Sequence, residues 1–344
     1  MTTSLPDITS EIRQRANSRG TLATIQTVAT VNAPPDFSPA LVSAKAFQFL
    51  PLPERLKLLG EWMREGDLGF LFAPRGAGKS WLAMFIGNAI AENCQLGEWT
   101  AGNAARPVCY FDAEMNLPDL QERFCKIGIT GESFHLLSNE LLFDHELPSV
   151  NIADPSHQAA LGNLLPDGSF FVIDNLSTSQ TGMKENDNDA FDAIRDWLLA
   201  LRHRHITTMI VHHAGRNGEM RGASRREDMA HWIIKLQDAS EDGAANKSFA
   251  TSFSKCRNCR PNEAPPLKWT LSDQGDTIAV TCTVHNGPDA LLGHIREGVV
   301  SASELAELLA VSAGTVSKWA KKLMDRGLIQ KSGRDYKAID SPYE

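Results

Sequence analysis

Residues 73–80 read "APRGAGKS", and they stand between a short apolar run, "LGFLF" (68–72), and a helix-like stretch that starts at Trp81. A glycine-rich segment that joins a strand to a helix and ends in Gly-Lys-Ser is typical of a phosphate-binding loop. Backbone N–H groups of such a loop and of the helix N-terminus surround phosphate oxygens. The alternative is a glycine-rich turn that carries a surface lysine.

The loop predicts a site for ATP with Mg²⁺. Lys79 would reach the β- and γ-phosphates, and the Ser80 hydroxyl would bind Mg²⁺. The residues that we expect to contact the nucleotide are Pro74, Arg75, Gly76, Ala77, Gly78, Lys79, Ser80 and Trp81.

Two acidic strand ends follow the loop in the sequence. "FFVIDN" (170–175) ends a buried strand, and its Asp174 would hold Mg²⁺ through water. "YFDAEM" (110–115) ends another strand, and hydrolysis needs a group that orients and deprotonates water. We predict that Glu114 is this base. Asp112 is the alternative, and both acids could instead be structural.

Composition limits the class of protein. Of the 344 residues, 42% are hydrophobic and 22% are charged, which is ordinary for a globular protein. The net charge of -8 argues against indiscriminate coating of nucleic acid, but it allows a local basic patch. Without a signal peptide or a long apolar run, we expect a cytoplasmic protein with no membrane contact and no disulfides.

Short apolar strands alternate with helices between about residues 56 and 284, which predicts an α/β domain with a mainly parallel sheet. Residues 1–45 are rich in Thr, Ser, Ala and Pro, and we expect a flexible extension. The predicted domains are therefore 1–45, 46–284 and 285–344.

The order of these motifs resembles that of RecA-like ATPases, in which the catalytic glutamate lies between the P-loop and the Walker B aspartate. Within that group the chain resembles the RepA-type and DnaB-type hexameric helicases. The matching features are Ala73 at the first P-loop position, "AEMNLP" (113–118), "RGASRREDMAHW" (221–232) and "KCRN" (255–258). The chain departs from the family pattern at His231, where aspartate is common, and at Cys259, where glycine is common.

The resemblance implies a RecA-like core that hydrolyses ATP as a homo-oligomer, most simply a hexamer, around single-stranded DNA. It implies that His212 or His213, at the end of a strand, senses the γ-phosphate. It also implies that the loop 214–225 holds the DNA backbone in a central channel, through Arg216 and Arg221. The alternative is a solvated loop beside two ordinary histidines.

The stretch "FSKCRNCRP" (253–261) has a C-x-x-C spacing among basic residues. Zinc needs about four ligands and the sequence has no second C-x-x-C, while a redox pair normally opens a helix. Lys255 and Arg257 leave a strand on the same side. We predict that they act as an arginine-finger pair, reaching the γ-phosphate of a neighbouring protomer. The alternative is a basic surface turn.

The C-terminal segment, residues 301–339, resembles a bacterial winged helix-turn-helix domain. We expect Ser303 to cap one helix and Ser312 to cap the next, with two short strands forming a wing. Duplex DNA contacts are predicted at Thr315, Ser317, Lys318, Lys321, Lys322, Lys331 and Arg334. The alternative is a winged helix that binds only protein.

We therefore predict an ATP-hydrolysing, DNA-binding RecA-like ATPase, an oligomeric RepA-like helicase or replication ATPase of a plasmid, phage or other mobile element. The first alternative is an ATP-controlled, site-specific DNA-binding regulator or recombination accessory protein that does not unwind DNA. The second is a signalling ATPase whose winged helix binds protein.

Overall fold

The computed structural model describes residues 36–180, 188–214, 227–240, 245–285, 287–309 and 311–339. The chain divides into two compact units, Met1–Pro53 and Glu54–Glu344. In the first unit, a 3₁₀ turn at Ser38–Ala40 precedes helix α1 (Ala44–Phe47), which the Ser43 hydroxyl caps. Its large exposed apolar side chains are Phe37, Leu41, Val42, Phe47, Phe49 and Leu52.

The strands of the second unit, in chain order, are β1 (Lys57–Leu59), β2 (Met63–Arg64), β3 (Leu68–Ala73), β4 (Val108–Asp112), β5 (Phe134–Ser138), β6 (Phe170–Asp174), β7 (Thr207–His213), β8 (Trp232–Asp238), β9 (Lys247–Cys256), β10 (Leu267–Asp273), β11 (Ile278–Val284), β12 (Ile329–Ser332) and β13 (Asp335–Ala338). Its helices are α2 (Lys79–Ala91), α3 (Leu117–Ile127), α4 (Asn139–Asp144), α5 (Pro155–Leu164), α6 (Asn188–His203), α7 (Pro288–Arg296), α8 (Ala302–Leu308) and α9 (Ala313–Asp325).

Within the described residues the central sheet has nine strands in the order β11-β10-β9-β8-β3-β7-β6-β4-β5. The six strands from β8 to β5 are parallel, and β9, β10 and β11 extend the sheet in antiparallel fashion. The predicted α/β fold class with a mainly parallel sheet is therefore confirmed. Its P-loop strand β3 lies between β7 and β8.

Helices cover both faces of the parallel part, so β3 and β6 are buried along their whole length. One hydrophobic cluster packs α2 against one face, and a second packs α5 and α6 against the other. This explains why the strands appear in the sequence as continuous apolar runs and not as alternating patterns.

Gly69 lets the Trp232 indole lie directly on β3. The two residues face each other in the β3–β8 register, and a β-carbon at Gly69 would come within 2.2 Å of the indole ring. Trp232 in turn packs edge-on against Trp62, with 4.8 Å between ring centroids. The glycine in "LGFLF" therefore serves packing within the core.

The C-terminal elements of the second unit have a hydrophobic cluster of their own, formed by α7, α8, α9 and the β12–β13 hairpin. The Ser312 hydroxyl accepts the Thr315 N–H and caps α9, as predicted. The expected cap at Ser303 is wrong: the Ser301 hydroxyl accepts the Glu304 N–H, because α8 begins two residues earlier than predicted.

None of the helices in the described ranges combines the length and the apolar character that crossing a membrane requires.

Candidate nucleotide-binding site

A cavity of about 520 Å³ opens where the neighbouring strands β3, β7, β6 and β4 end. In parallel α/β sheets this edge is where ligands bind, because the loops after the strands meet there. The cavity is lined by Arg75, Gly76, Gly78, Lys79, Ser80, Trp81, Asp112, Glu114, Met115, Asn116, Asp119, Arg123, Asp174, Asn175, His213 and Lys247.

The predicted P-loop forms one wall of this cavity. Gly76 and Gly78 have φ angles of +76° and +104°, which lie in the region where glycine is favoured. A β-carbon at Gly78 would also come within 3.1 Å of the Phe249 ring. Gly78 is the N-cap of α2, so its backbone conformation turns the loop into the helix. Of the predicted contact residues, Pro74 and Ala77 are not part of the cavity wall.

Lys79 is 6% exposed, and its Nζ donates to the carbonyl oxygens of Ala73 (3.0 Å) and Pro74 (2.8 Å). Burial lowers the pKa of Lys79 to about 8, and the nearby carboxylates of Asp174 and Glu114 oppose that shift. The hydrogen bonds of the buried Lys79 ammonium go to neutral carbonyl oxygens, so a negatively charged ligand beside it would be favoured. Phosphate groups in the cavity would supply that charge.

A second lysine, Lys247, reaches the same loop from β9, and its Nζ donates to the carbonyl oxygen of Gly76. Sequence reasoning missed it. Lys247 is 168 residues from Lys79 in the chain, and only the antiparallel pairing of β9 with β8 brings it to the P-loop. A cation beside Gly76 adds positive potential where phosphates would lie.

Asp174 and Ser80 lie together at the base of the cavity. The buried Asp174 carboxylate accepts hydrogen bonds from the hydroxyls of Tyr110 and Ser80. Burial raises the pKa of Asp174, while these two hydrogen bonds oppose the shift. A hydroxyl and a buried carboxylate side by side suit Mg²⁺, which takes few protein ligands and keeps water. The described residues contain no cluster of three or more His, Cys, Asp or Glu side chains that could hold a metal alone.

Asp112 and Glu114 differ in their surroundings. The Asp112 carboxylate is buried and accepts the backbone N–H groups of Glu114 (3.1 Å) and Met115 (2.7 Å). Burial raises the pKa of Asp112 to about 6. Asp112 therefore shapes the turn after β4. Glu114, by contrast, has a side chain that is 54% exposed and lines the cavity.

Two side chains from neighbouring strands surround the Glu114 carboxylate. The Asn175 side-chain amide donates to Glu114 Oε2, and His213 Nε2 lies 4.0 Å from the same oxygen. Asn175 follows β6 and its Oδ1 accepts the N–H groups of Ser177 and Thr178, so the turn fixes its orientation. No sequence motif indicated that Asn175 belongs to this site.

Of the two histidines at the end of β7, His213 lines the cavity and His212 does not. His212 is completely buried beside Phe72 of β3. Successive side chains of a strand point to opposite faces, so only one of the pair can face the Glu114 carboxylate. The structure therefore corrects His212 to His213 as the cavity residue. Arg216 and Arg221 lie outside the described residues.

Trp81 and Arg123 form the outer wall of the cavity. The Arg123 guanidinium lies 5.2 Å from the centroid of the Trp81 ring, in a cation–π contact. Trp81 is in the first turn of α2, and Arg123 is on α3, so the contact joins the two helices.

Lys255 and Arg257 lie far from this cavity. β9 starts at the P-loop edge and runs away from it, and Lys255 pairs with Ile233 near the opposite edge. At about 3.4 Å per residue, Lys255 is roughly 27 Å from Lys247. The Lys255 ammonium and the Arg257 guanidinium donate to the carbonyl oxygens of Glu227 and Asp228 respectively. Both side chains therefore lie on the same side of the chain.

The residues predicted to contact duplex DNA are grouped on α9 and the β12–β13 hairpin. All except Thr315, which is half-buried, are exposed: Ser317, Lys318, Lys321, Lys322, Lys331 and Arg334. The opposite side of α9 packs into the C-terminal cluster through Val316, Ala320 and Leu323. The helix thus separates a basic face from an apolar one.

Comparison with known proteins adds a family. The family model described as an AAA domain matches residues 33–219, which is more than half of the chain. No curated protein matches the sequence. Among solved structures, the chain is similar to a KaiC-like protein from the archaeon Pyrococcus horikoshii OT3, with 15% identity, a TM-score of 0.42, and coverage of 63% of this chain and 90% of that one. It is also similar to the flagellar accessory protein FlaH from Methanocaldococcus jannaschii, with 9% identity, a TM-score of 0.44, and coverage of 63% and 89%.

Proposed function

The chain belongs to the AAA domain family, and we propose that it is an oligomeric, DNA-binding ATPase of the RepA-like helicase or replication class. The observation that carries the ATPase part is the position of Glu114. Its carboxylate lies in the cavity that also contains the P-loop lysine, and Asn175 holds it there. A base held opposite a phosphate-binding loop is what hydrolysis of ATP requires.

Each cavity residue has a separate task in this proposal. Glu114 takes a proton from the attacking water, and Asn175 and His213 fix its carboxylate and sense the γ-phosphate. Lys79 leaves the carbonyls of the P-loop and binds the β- and γ-phosphates. Ser80 and Asp174 would hold Mg²⁺, which neutralises phosphate charge when bound.

We further propose that Lys255 and Arg257 complete the site of a neighbouring protomer. Lys255 is roughly 27 Å from Lys247, whose side chain contacts the P-loop, so the pair lies far from the nucleotide site of its own chain. Two cations on one side of a turn suit an arginine finger supplied in trans. This proposal makes the active form a homo-oligomer, for which a hexameric ring is the expected arrangement.

The DNA-binding part rests on the C-terminal elements. Three helices followed by a hairpin, with exposed lysines on α9 and in the hairpin, support a winged helix that reads duplex DNA. The same exposed lysines favour the first alternative, a sequence-specific DNA-binding regulator that does not unwind DNA. A ring that moves along DNA does not need a sequence-recognising domain on each protomer. A signalling ATPase whose winged helix binds protein is the remaining alternative.

ATP turnover and strand displacement on the full chain separate these functions. A helicase hydrolyses ATP faster with single-stranded DNA and displaces a strand from a forked duplex. Stimulation without displacement would favour the regulator. If no DNA changes the rate of ATP turnover and the chain binds no DNA, the proposal is contradicted and the signalling ATPase is favoured. The Glu114→Gln variant is the matched control, because it retains the nucleotide site but should not turn over.

A further inference from the structure

The turn "CRNC" (256–259) brings two thiols together at the end of β9, away from the nucleotide cavity. The Sγ atoms of Cys256 and Cys259 lie 3.1 Å apart, and both side chains are half-buried. A disulfide has a sulfur separation of about 2.05 Å, so the two atoms are about 1 Å from bonding distance. The turn is thus close to the arrangement of a disulfide while both thiols are free.

A second cavity, of about 570 Å³, is lined by both Cys256 and Cys259. Phe253, Pro261 and Ala264 line one side of it, and Val299 and Leu308 line the side formed by the C-terminal elements. Cavities of a few hundred Å³ accommodate small organic molecules. The cavity therefore gives a small molecule access to the thiol pair.

The surroundings of the two thiols make them unequal. A hydrogen bond from the Cys259 thiol lowers the pKa of Cys256 to about 7, and the N–H groups of Asn258 and Cys259 add to that effect. The same thiol–thiol hydrogen bond, together with burial, raises the pKa of Cys259. The thiolate is the reactive form of cysteine. The backbone N–H groups that Asn258 and Cys259 direct at Cys256 favour Cys256 as the thiolate of the pair.

The pair does not fit a metal site. Zinc requires about four ligands, and the described residues around the two sulfurs supply no third His, Cys, Asp or Glu in a suitable position.

We propose that Cys256 and Cys259 form a redox-active dithiol that exchanges with low-molecular-weight disulfides, such as oxidised glutathione, through this cavity. The Cys256 thiolate attacks one sulfur of the small disulfide, forms a mixed disulfide and releases one thiolate. The Cys259 thiol then loses its proton, its sulfur attacks Cys256 Sγ, and the second small thiolate leaves. Both thiolates are protonated, so two cysteine thiols and one small disulfide give one internal disulfide and two small thiols.

The internal disulfide would stiffen the backbone that carries Arg257, which lies between the two cysteines. That backbone is already held by the Arg257 N–H, which donates to the carbonyl oxygen of His231 (2.8 Å). The Asn258 amide also donates to the Trp62 carbonyl oxygen (2.7 Å) and to the Asp67 carboxylate (2.6 Å). These contacts hold the turn on both sides and keep the two cysteines near each other.

The test equilibrates the full chain in glutathione buffers of graded potential, blocks free thiols and maps each cysteine by peptide mass. We expect the peptide with Cys256 and Cys259 to lose two hydrogen atoms in a glutathione-dependent, reversible way, while Cys109 and Cys282 stay reduced. The proposal is overturned if both thiols stay free under conditions that modify the exposed Cys94 and Cys125. It is also overturned if the purified chain holds stoichiometric zinc that Cys256→Ser removes.

Single variants test the expected difference in reactivity between Cys256 and Cys259, because each variant retains only one of the two thiols. Cys259→Ser keeps a hydroxyl donor beside Cys256, whereas Cys259→Ala removes it. At pH 7 we expect Cys256 to be alkylated about threefold faster in the Ser variant than in the Ala variant. The hydroxyl donor raises the fraction of Cys256 that is thiolate, and the lower nucleophilicity of that thiolate offsets part of the gain. Cys259 in Cys256→Ser should be the slowest of the three. Equal rates in all three folded variants would contradict the assignment of Cys256 as the nucleophile.

Discussion

The side-chain amide of Asn175 donates a hydrogen bond to the carboxylate of Glu114 and so joins the end of β6 to the turn after β4. The two strands are neighbours, and Asp112 faces Asp174 in their register. The residues that follow these two acids therefore meet over the cavity. The neutral side-chain amide of Asn175 therefore orients the Glu114 carboxylate, which is the proposed base.

Asn175→Asp tests this contact most sharply. The new carboxylate keeps the acceptor for the N–H groups of Ser177 and Thr178, but it loses the donor and places a negative charge beside Glu114. Loss of one hydrogen bond that orients the base, about 1.4 kcal/mol, lowers turnover about tenfold. Steady-state ATPase assays should show this fall with little change in nucleotide affinity. Unchanged turnover would mean that the contact does not orient the base.

The pH dependence of nucleotide binding should report on Lys79. Burial lowers its pKa to about 8 in the ligand-free chain, and phosphates would raise it. Below pH 8 the ammonium is already charged, so affinity should be nearly constant. Above pH 8 binding must take up a proton, and affinity should fall by up to about tenfold per pH unit.

Titration of a fluorescent ATP analogue at several pH values measures this trend. Lys247→Ala is the matched control, because it removes the other lysine that contacts the P-loop and leaves Lys79 in place. The control should bind more weakly, and its break should lie somewhat above pH 8, because the Lys247 charge contributes to the lowered pKa of Lys79. An affinity that stays constant to pH 10 would contradict the role given to Lys79.

Mixing two inactive variants tests the site proposed to be shared between protomers. Lys79→Ala damages the P-loop, and Arg257→Ala damages the finger that serves the neighbour. In a mixed oligomer some sites combine an intact P-loop with an intact finger, so part of the turnover should return. Mixing Lys79→Ala with Glu114→Gln is the control, because both lesions lie in the same cavity and leave no complementary partner. No recovery in the first mixture would contradict a finger supplied in trans.

Substitution of the basic face of α9 tests duplex binding. Lys318, Lys321 and Lys322 are exposed, so replacing all three by alanine should leave the C-terminal core intact. Each lost phosphate contact reduces the slope of log affinity against log salt by about 0.9. Fluorescence anisotropy over a salt series would measure both the weaker binding and the smaller slope. Lys57→Ala, a change at a half-buried lysine elsewhere in the same unit, should change neither. An unaltered slope in the triple variant would favour a protein-binding winged helix.

Local motifs were enough to find much of the fold and the core of the site. The P-loop and the acids at positions 114 and 174 each depend on a few neighbouring residues, and the parallel sheet makes their strand ends converge. The choice between Asp112 and Glu114 needed the structure, because only the turn after β4 shows which carboxylate accepts hydrogen bonds from backbone N–H groups.

The remaining site residues depend on relationships that are not local in the sequence. Lys247 reaches the P-loop only because β9 returns antiparallel to β8, and nothing near residue 247 indicates that pairing. The choice between His212 and His213 depends on which residues of β7 point to each face of the sheet. A continuous run of apolar residues does not show this. The cap of α8 was misplaced for a similar reason, since two serines two residues apart can each start a helix.

The proposed function depends first on Glu114 as the base of an ATP-hydrolysing site. Single-turnover hydrolysis of ATP by Glu114→Gln, with nucleotide binding measured on the same sample, tests it most directly. We expect ATP binding close to that of the unaltered chain and hydrolysis reduced by about 10²-fold or more. Hydrolysis at the normal rate would contradict it and would return the role to another group in the cavity.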